Sequence, residues 1–412
     1  MRSFIPFLLL FGLSISIISC KNSNKKDQQT LVMPDIPTLL DRNKALQNGK
    51  EWETVQSLYG QYRYQLMKDP KAVEPLIKLT ELFINEARIT GEHGHYYQGA
   101  LKMINRVLDH PLEGRDKDQT FRALSDKASV QLSLHDFNGA LETGTRAIAI
   151  NPYNAAIYGV MVDANVELGH YEKAVEMADK MVSIRPDLRS YSRVSYLREI
   201  YGQPEGAIEA MEMAVAAGFP GQEQTCWTRM TLGHLEEFYG SLEKAAYQYQ
   251  VILEERPDYP FAIAAQGRLE MNKGHFDEAE KLLKKACGII PEVSFYEQLA
   301  ELYKKTNRMA DHDKTVKEVL TMMADDVANG HNMDLEYAKF YSDQLGDYDK
   351  ALEYARKEYD RRPDNIDVNR VMALIYERKS DKTNARLHLE KAMRTKSQHP
   401  DLQQLKSGLA TL

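Results

Sequence analysis

One spacing recurs along this chain and limits what it can fold into. Tyr171, Ala174, Ala178, Met181 and Pro186 stand 34 positions after Phe137, Ala140, Gly144, Ala147 and Pro152. The register returns as Leu242, Ala245, Tyr249, Ile252 and Pro257, then as Phe276, Ala279, Leu283, Ala286 and Pro291. It returns again as Tyr348, Ala351, Ala355, Glu358 and Pro363, and more loosely as Lys382, Ala385, Leu389 and Ala392. Gly169, Gly240, Gly274 and Gly346 each precede the first position of a set by two residues. Such a unit reads as two antiparallel helices, with the chain turning at the glycine. The aromatic or apolar residue after the turn packs the second helix on the first. The alanines let helices approach closely, because ridges enter grooves only where contact residues are small. Proline ends the second helix and opens the next unit. One pair cannot bury its apolar face alone, so neighbours must stack into an extended array.

The pattern resembles the tetratricopeptide repeat, and the match covers most of residues 38–399. The resemblance implies an all-α, right-handed superhelical solenoid of about ten helix-turn-helix units. Asn151-Pro152-Tyr153, Arg185-Pro186-Asp187-Leu188, the run Tyr191 to Glu199, Gly206 to Met211 and Asn332 to Glu336 are similar to a widespread group of bacterial repeat proteins without an assigned reaction. Departures from the pattern are local. Pro204 stands where an aromatic belongs, Ala217 to Gly221 form an extra loop, Asp313 replaces a key alanine, and Asp325 to Asn332 form a second insertion. Upstream, Trp52, Val55 and Tyr59, then Tyr97, Ala100 and Ile104, suggest two degenerate units, with Thr90 to His95 lengthening a turn. The expected organisation is degenerate repeats over 38–120, a regular array over 121–327 with an insertion near 217–225, further units over 328–399, and a tail over 400–412.

Residues 1–19 read as an export signal, with Arg2 before an apolar run too short and too early for a spanning helix. The segment Ile17-Ile18-Ser19-Cys20 resembles the lipobox of bacterial lipoproteins. That resemblance implies cleavage before Cys20 and diacylglycerol on its sulfur. Each buried acyl methylene contributes about 0.8 kcal/mol, so two or three chains anchor firmly. Residues 20–37 then form a polar tether. No acidic cluster follows Cys20, which favours an outer-membrane protein facing the periplasm. Hydrophobic residues make up 43% and charged residues 27%, a balance that argues against disorder. The net charge of −7, without a long basic run, leaves nucleic acid no electrostatic footprint. Cys226 and Cys287 read as buried apolar residues rather than a bridge.

The resemblance also implies that the first helix of each unit lines a concave groove. Its inward positions give Arg189, Ser192, Arg193 and Tyr196, then Trp227, Met230, His234 and Phe238, then Phe261 and Arg268. Aromatics supply contact area and arginines grip carboxylates bidentately, which suits an extended peptide or an acidic terminus. The bland alternative places the aromatics between repeats and the arginines in solvent. His93-x-His95 lies in a glycine-flanked turn and offers too few ligands for zinc. Phosphate loops, nucleophile elbows and metalloprotease helices are missing from the sequence. The adjacent acids Glu236-Glu237 and Asp325-Asp326 diverge on a helix instead of facing across a pocket. The expectation is therefore a lipid-anchored scaffold for a protein or peptide partner, with no catalytic residue, cofactor or metal. The rival is a glycan or small-ligand receptor serving a transport system, which needs a closed pocket near Phe219 or Asn329.

Overall fold

A computed structural model of the protein describes residues 35–109 and 116–410. The export signal, Cys20 and most of the tether lie outside the described residues. Among those described there are twenty α-helices and no strand. Helix α1 (Gly49–Lys68) stands alone, and the next helices pair as hairpins. The pairs are α2 (Val73–Thr90) with α3 (His93–Leu108), α4 (Lys117–Ser133) with α5 (Phe137–Ile150), and α6 (Ala155–Glu167) with α7 (Tyr171–Ile184). They continue as α8 (Leu188–Ile200) with α9 (Pro204–Ala216), α10 (Glu223–Tyr239) with α11 (Leu242–Glu255), and α12 (Pro260–Asn272) with α13 (Phe276–Cys287). The last are α14 (Val293–Lys305) with α15 (Met309–Ala328), α16 (Asp334–Phe340) with α17 (Tyr348–Arg361), and α18 (Ile366–Arg378) with α19 (Lys382–Ala392), before a single α20 (Pro400–Ala410). The architecture is the superhelical all-α solenoid that the repeat demands.

The recurrent alanines do the packing expected of them. Ala100, Ala140, Ala174, Ala207, Ala245, Ala279, Ala351 and Ala385 are each fully buried between paired helices. Helix starts follow local chemistry. Asp116 with Gln119, and Asp187 with Ser190, form reciprocal capping boxes, and Pro204 and Pro260 sit at first-turn positions where a missing N–H is harmless.

Three boundaries differ from the expectation. The stretch read as helical from residue 38 is extended to Asn43, then turns once through Lys44–Leu46. It straps the first pair to the sixth: Leu46 enters the core of α12, α13 and α14, and the Asn43 amide donates to the Gly288 carbonyl (2.9 Å). Arg42 fixes the strap, gripping the buried Glu86 of α2 through two nitrogens (2.6 and 2.8 Å). The presumed tail is a capping helix, because Leu402, Leu405 and Leu409 cover the apolar face left open by α19. Finally, α14–α15 begins one residue early, so the fully packed alanine place falls on His312, 3% exposed, while Asp313 points to solvent.

The array is wound tightly enough for successive turns of the superhelix to touch. The bend between α2 and α3 meets the loop between α13 and α14, with Gly91 against Ile290. The bend α4–α5 meets α15–α16, where the Asn332 N–H donates to Leu134 (3.1 Å) and His135 donates to the Asn332 carbonyl (2.8 Å). The bend α6–α7 meets α17–α18, where Arg362 pairs with Glu167 and the Ile366 N–H donates to the Tyr171 hydroxyl (2.8 Å). The bend α8–α9 meets the loop after α19. Gly169 and Gly202 serve this seam twice: their φ values of 78° and 67° are left-handed, and a Cβ at either would strike the backbone of Asp364 or Lys396. Where no glycine stands at the bend, His135, Asn307 and Ser380 take the left-handed conformation instead.

Candidate functional site

The inner wall of the superhelix is built by the first helix of each pair, and the expected groove residues divide there into open, engaged and buried. Arg189 lies open in the first turn of α8, touching Gln224 of α10 (3.3 Å). Burial, then the like charges of Arg88 and Arg193, hold its guanidinium below the ordinary arginine value. Trp227 is 53% exposed and stands edge-on to Phe261 at 5.2 Å between centroids. Phe238 is half exposed beside His399. These side chains keep free surface.

Others are engaged within the fold. The Ser192 hydroxyl donates to the Leu188 carbonyl (2.7 Å), a bond internal to α8. Arg193 holds Asp163 of α6 (2.6 Å) and the carbonyls of Gly159 and Arg189 (3.1 Å each). Arg268 grips Glu237 through two nitrogens (2.6 and 3.2 Å), and the Tyr249 hydroxyl donates to the same carboxylate. His234 packs edge-on to Tyr249, its Nε2 enclosed without a hydrogen bond. Burial, aided by the Arg268 charge, pushes its imidazole down to about 4, so it is neutral at neutral pH.

One expectation is corrected. Met230 is 4% exposed and belongs to the core with Tyr249, Ile252 and Leu269; it does not line a groove. Tyr196 packs against the cluster of Val166, Tyr171 and Leu197, and burial drives its phenol well above the ordinary value. Both occupy inward positions of the repeat; neighbouring helices cover Met230, whereas Tyr196 stays half-buried and lines a small cavity with Glu199 and His399. His93 and His95 are likewise structural: His93 stacks on Tyr97 at 5.4 Å, and His95 bonds the Thr38 carbonyl (2.7 Å). Among the described residues no three His, Cys, Asp or Glu side chains converge as metal ligands, and Cys226 and Cys287 are free thiols.

The concave space is not one continuous trough. Where the turns touch, it narrows to a solvent-open cleft of about 410 Å³ between α2, α4, α6 and α8 on one side and α16 and α18 on the other. Arg88, Asp163, Glu167 and Arg193 face it from the first wall, and Glu336, Lys339 and Asp367 from the second. Arg362 bounds it at the seam, bonded to Glu358 and Glu167 and lying over the Phe137 ring at 4.7 Å. Burial pushes the Glu358 carboxyl up, but Arg362, the Asn332 amide and Arg361 outweigh it and hold the group below its ordinary value. Of the residues facing the cleft, Arg193 is among the groove residues expected from the sequence, and the others lie outside the α8, α10 and α12 helices to which that expectation was confined. The same positions in the units before and after that stretch select Asp163, Glu336 and Asp367.

With this geometry in place, likeness to known proteins bears mainly on the repeat. Residues 262–292, which cover most of α12 and α13, match the family model described as tetratricopeptide repeat. The chain carries tetratricopeptide repeats, modules of interaction scaffolds that are generally without catalysis of their own. It is 32% identical over 105 residues to the small glutamine-rich tetratricopeptide repeat-containing protein 2 of Saccharomyces cerevisiae, a match spanning 25% of this chain and 30% of that relative. Among solved structures, it is similar to human IFIT1 (14% identity, 86% of this chain and 95% of that one, TM-score 0.45). It is also similar to the tetratricopeptide repeat protein of Parabacteroides merdae (16% identity, 71% and 99%, TM-score 0.35). No helix among the described residues is long and apolar enough to cross a membrane.

Proposed function

We propose that this protein is a lipid-anchored scaffold of the bacterial envelope that holds a protein or peptide partner along the rim of its inner face. One observation carries the proposal: Trp227, on an inward-facing helix, leaves half its surface to solvent while resting on Phe261, with Arg189 at the neighbouring repeat. An aromatic pair beside an arginine is the composition of interface anchors. Arg189 has no carboxylate partner among the described residues, so an acidic group on the partner would supply one. The anchor rests on the lipobox-like segment ending at Cys20, and the outer membrane facing the periplasm is the compartment this reading assigns.

In-cell crosslinking on the intact envelope tests the scaffold. Trp227→Ala with Arg189→Glu should abolish the wild-type crosslink while the helical circular-dichroism signal stays unchanged; an unchanged crosslink overturns the rim as the docking place. Incorporation of labelled palmitate that persists in Cys20→Ala would remove the anchor.

A further inference from the structure

The aromatic strip of the rim does not end at Phe261. Trp227 stands on Phe261 (5.2 Å between centroids) and Phe261 on Phe295 (5.3 Å), so one ladder of rings crosses α10, α12 and α14 near their N-terminal ends. Phe295 is buried in a cluster with Ile263, Ile290 and Leu299, and Phe261 packs against the same cluster. Its one buried member from outside α12, α13, α14 and their connection is Leu46 of the strap, 4% exposed. The chain thus fills with its own leucine an apolar socket that adjoins the strip where Trp227 lies open.

Little holds that leucine in place. Of the turn Asn43–Gln47 only Leu46 is buried; Asn43, Lys44 and Gln47 are exposed. The turn joins the sixth pair through Leu46, with the half-buried Ala45 beside it, and through the exposed Asn43–Gly288 hydrogen bond. Its flanks are held more firmly. Arg42 before it grips Glu86, and Glu51 after it receives Arg42 (2.7 Å) and lies 3.6 Å from Arg256. Gly49, between the turn and α1, sits at φ 46°, a left-handed backbone that glycine enters and leaves freely. Asn43–Gln47 can therefore swing out between fixed flanks without uncovering Glu86.

Hydrogen bonds tie the same place to the rim. Arg256, which faces Glu51, donates to the Gly221 carbonyl (3.2 Å) just before α10, and Glu223 in the first turn of α10 receives the Tyr259 hydroxyl (2.8 Å). Trp227 follows Glu223 by one helical turn. Taking the rim as the docking place, on which this inference rests, we propose that Leu46 is a detachable plug. A partner seated on Trp227 and Phe261 displaces it and inserts an aliphatic side chain of leucine size into the socket. The partner segment then carries an acidic group for Arg189 and an aliphatic anchor two repeats farther along. Segments without that anchor meet the plug still seated, so the socket filters what the rim accepts.

Thiol labelling of the full chain tests this. Leu46→Cys keeps a small apolar side chain in the socket and adds a reactive group. Its labelling by N-ethylmaleimide, read on the peptide by mass spectrometry, should be at least about fivefold faster in the intact envelope than in the purified chain, because the partner holds the turn out. Adding Trp227→Ala and Arg189→Glu should return the rate to that of the purified chain. Leu46→Ser weakens the plug and should raise partner crosslinking in the envelope. Labelling no faster in the envelope, or a crosslink not raised by Leu46→Ser while circular dichroism matches wild type, overturns the plug. The two readings fail separately. A crosslink that survives Trp227→Ala with Arg189→Glu removes the rim, whereas a crosslink lost there while Leu46→Cys labels at one constant rate removes the plug alone.

Discussion

Two kinds of contact hold this solenoid, and they differ in chemistry. Within a turn, consecutive hairpins join through continuous apolar surface: Phe83 with Tyr96 and Met103 in the first pair, Tyr249 with Ile252 and Leu269 farther on, all buried. Between turns, much of the joining is polar, through Arg362, Glu167, Asn365, Asn332, His135 and Arg394. Apolar burial is roughly additive and insensitive to detail, whereas buried charges depend on every partner being in place. The hairpin stack is therefore the fold. The seam is a closure that small changes can loosen, and it is the closure that makes the cleft.

The largest effect should come from the stack. Phe83→Ala opens a cavity in the first pair at a fully buried ring, and should cost about 3–5 kcal/mol in urea unfolding. Arg42→Ala tests the strap that reaches from the first pair to the sixth. It leaves Glu86, 1% exposed, without its bidentate partner, at a cost of about 3–5 kcal/mol. The double change Arg42→Met with Glu86→Leu should recover most of that loss. If it does not, the strap depends on the ion pair for more than charge balance.

Arg362→Ala strikes the seam alone. Glu358 keeps Arg361 and Asn332, so about 1.5–3 kcal/mol should be lost, mostly at Glu167, which burial already pushes above its ordinary value. The sharper readout is small-angle scattering: the radius of gyration should grow while helicity stays constant. A Phe83→Ala-like loss of helix would mean that seam and stack unfold as one.

The stack was legible from sequence and the seam was not, for a physical reason. A fixed spacing reports contacts between neighbours along the chain, so Ala140, Ala174, Ala245 and Ala279 could be assigned to helix contacts in advance, and they are fully buried. Contacts between turns depend on the small rotation added at each unit, which no single residue encodes. Asp163 and Glu336 read as ordinary polar helix positions until the winding brings their helices to one cleft. Register slips are equally hidden. The shift at α14 moves the packed place from Asp313 to His312, and only the local loop length decides it. Met230 was misplaced for a related reason: the repeat turns its position inward, but the adjoining helices cover it.

Acid offers a gentler probe of the seam. His331 stands edge-on to His135 at 4.4 Å, with neither of its ring nitrogens hydrogen-bonded. Burial, then the charges of His135 and His93, push its imidazole down from 6.5 to about 3. A histidine with a lowered folded pKa takes up its proton more readily when unfolded. Its contribution is therefore complete above 6.5 and is lost as pH falls toward 3. Between pH 7 and pH 5 the wild type should lose roughly 1 kcal/mol relative to His331→Leu, about half the full linkage value because the ring is not wholly enclosed. A constant difference across that range would mean that the seam does not feel this group.

The smallest effect on stability belongs to the rim, and it separates rim from seam most cleanly. Trp227 gives up half its surface to solvent, and its edge-on contact with Phe261 is its one aromatic contact among the described residues. Trp227→Ala should therefore shift unfolding by about 0.5–1 kcal/mol, against several for a buried ring. Tryptophan at such a place costs solubility unless something covers it, so its effect should appear in partner crosslinking instead. Phe238→Ala, half exposed at the other end of α10, supplies the control: similar area, but packed beside His399 at the seam. If Phe238→Ala lowers partner capture as strongly as Trp227→Ala while both leave the fold intact, the docking face runs the length of α10 and the rim is wider than the Arg189–Trp227–Phe261 strip.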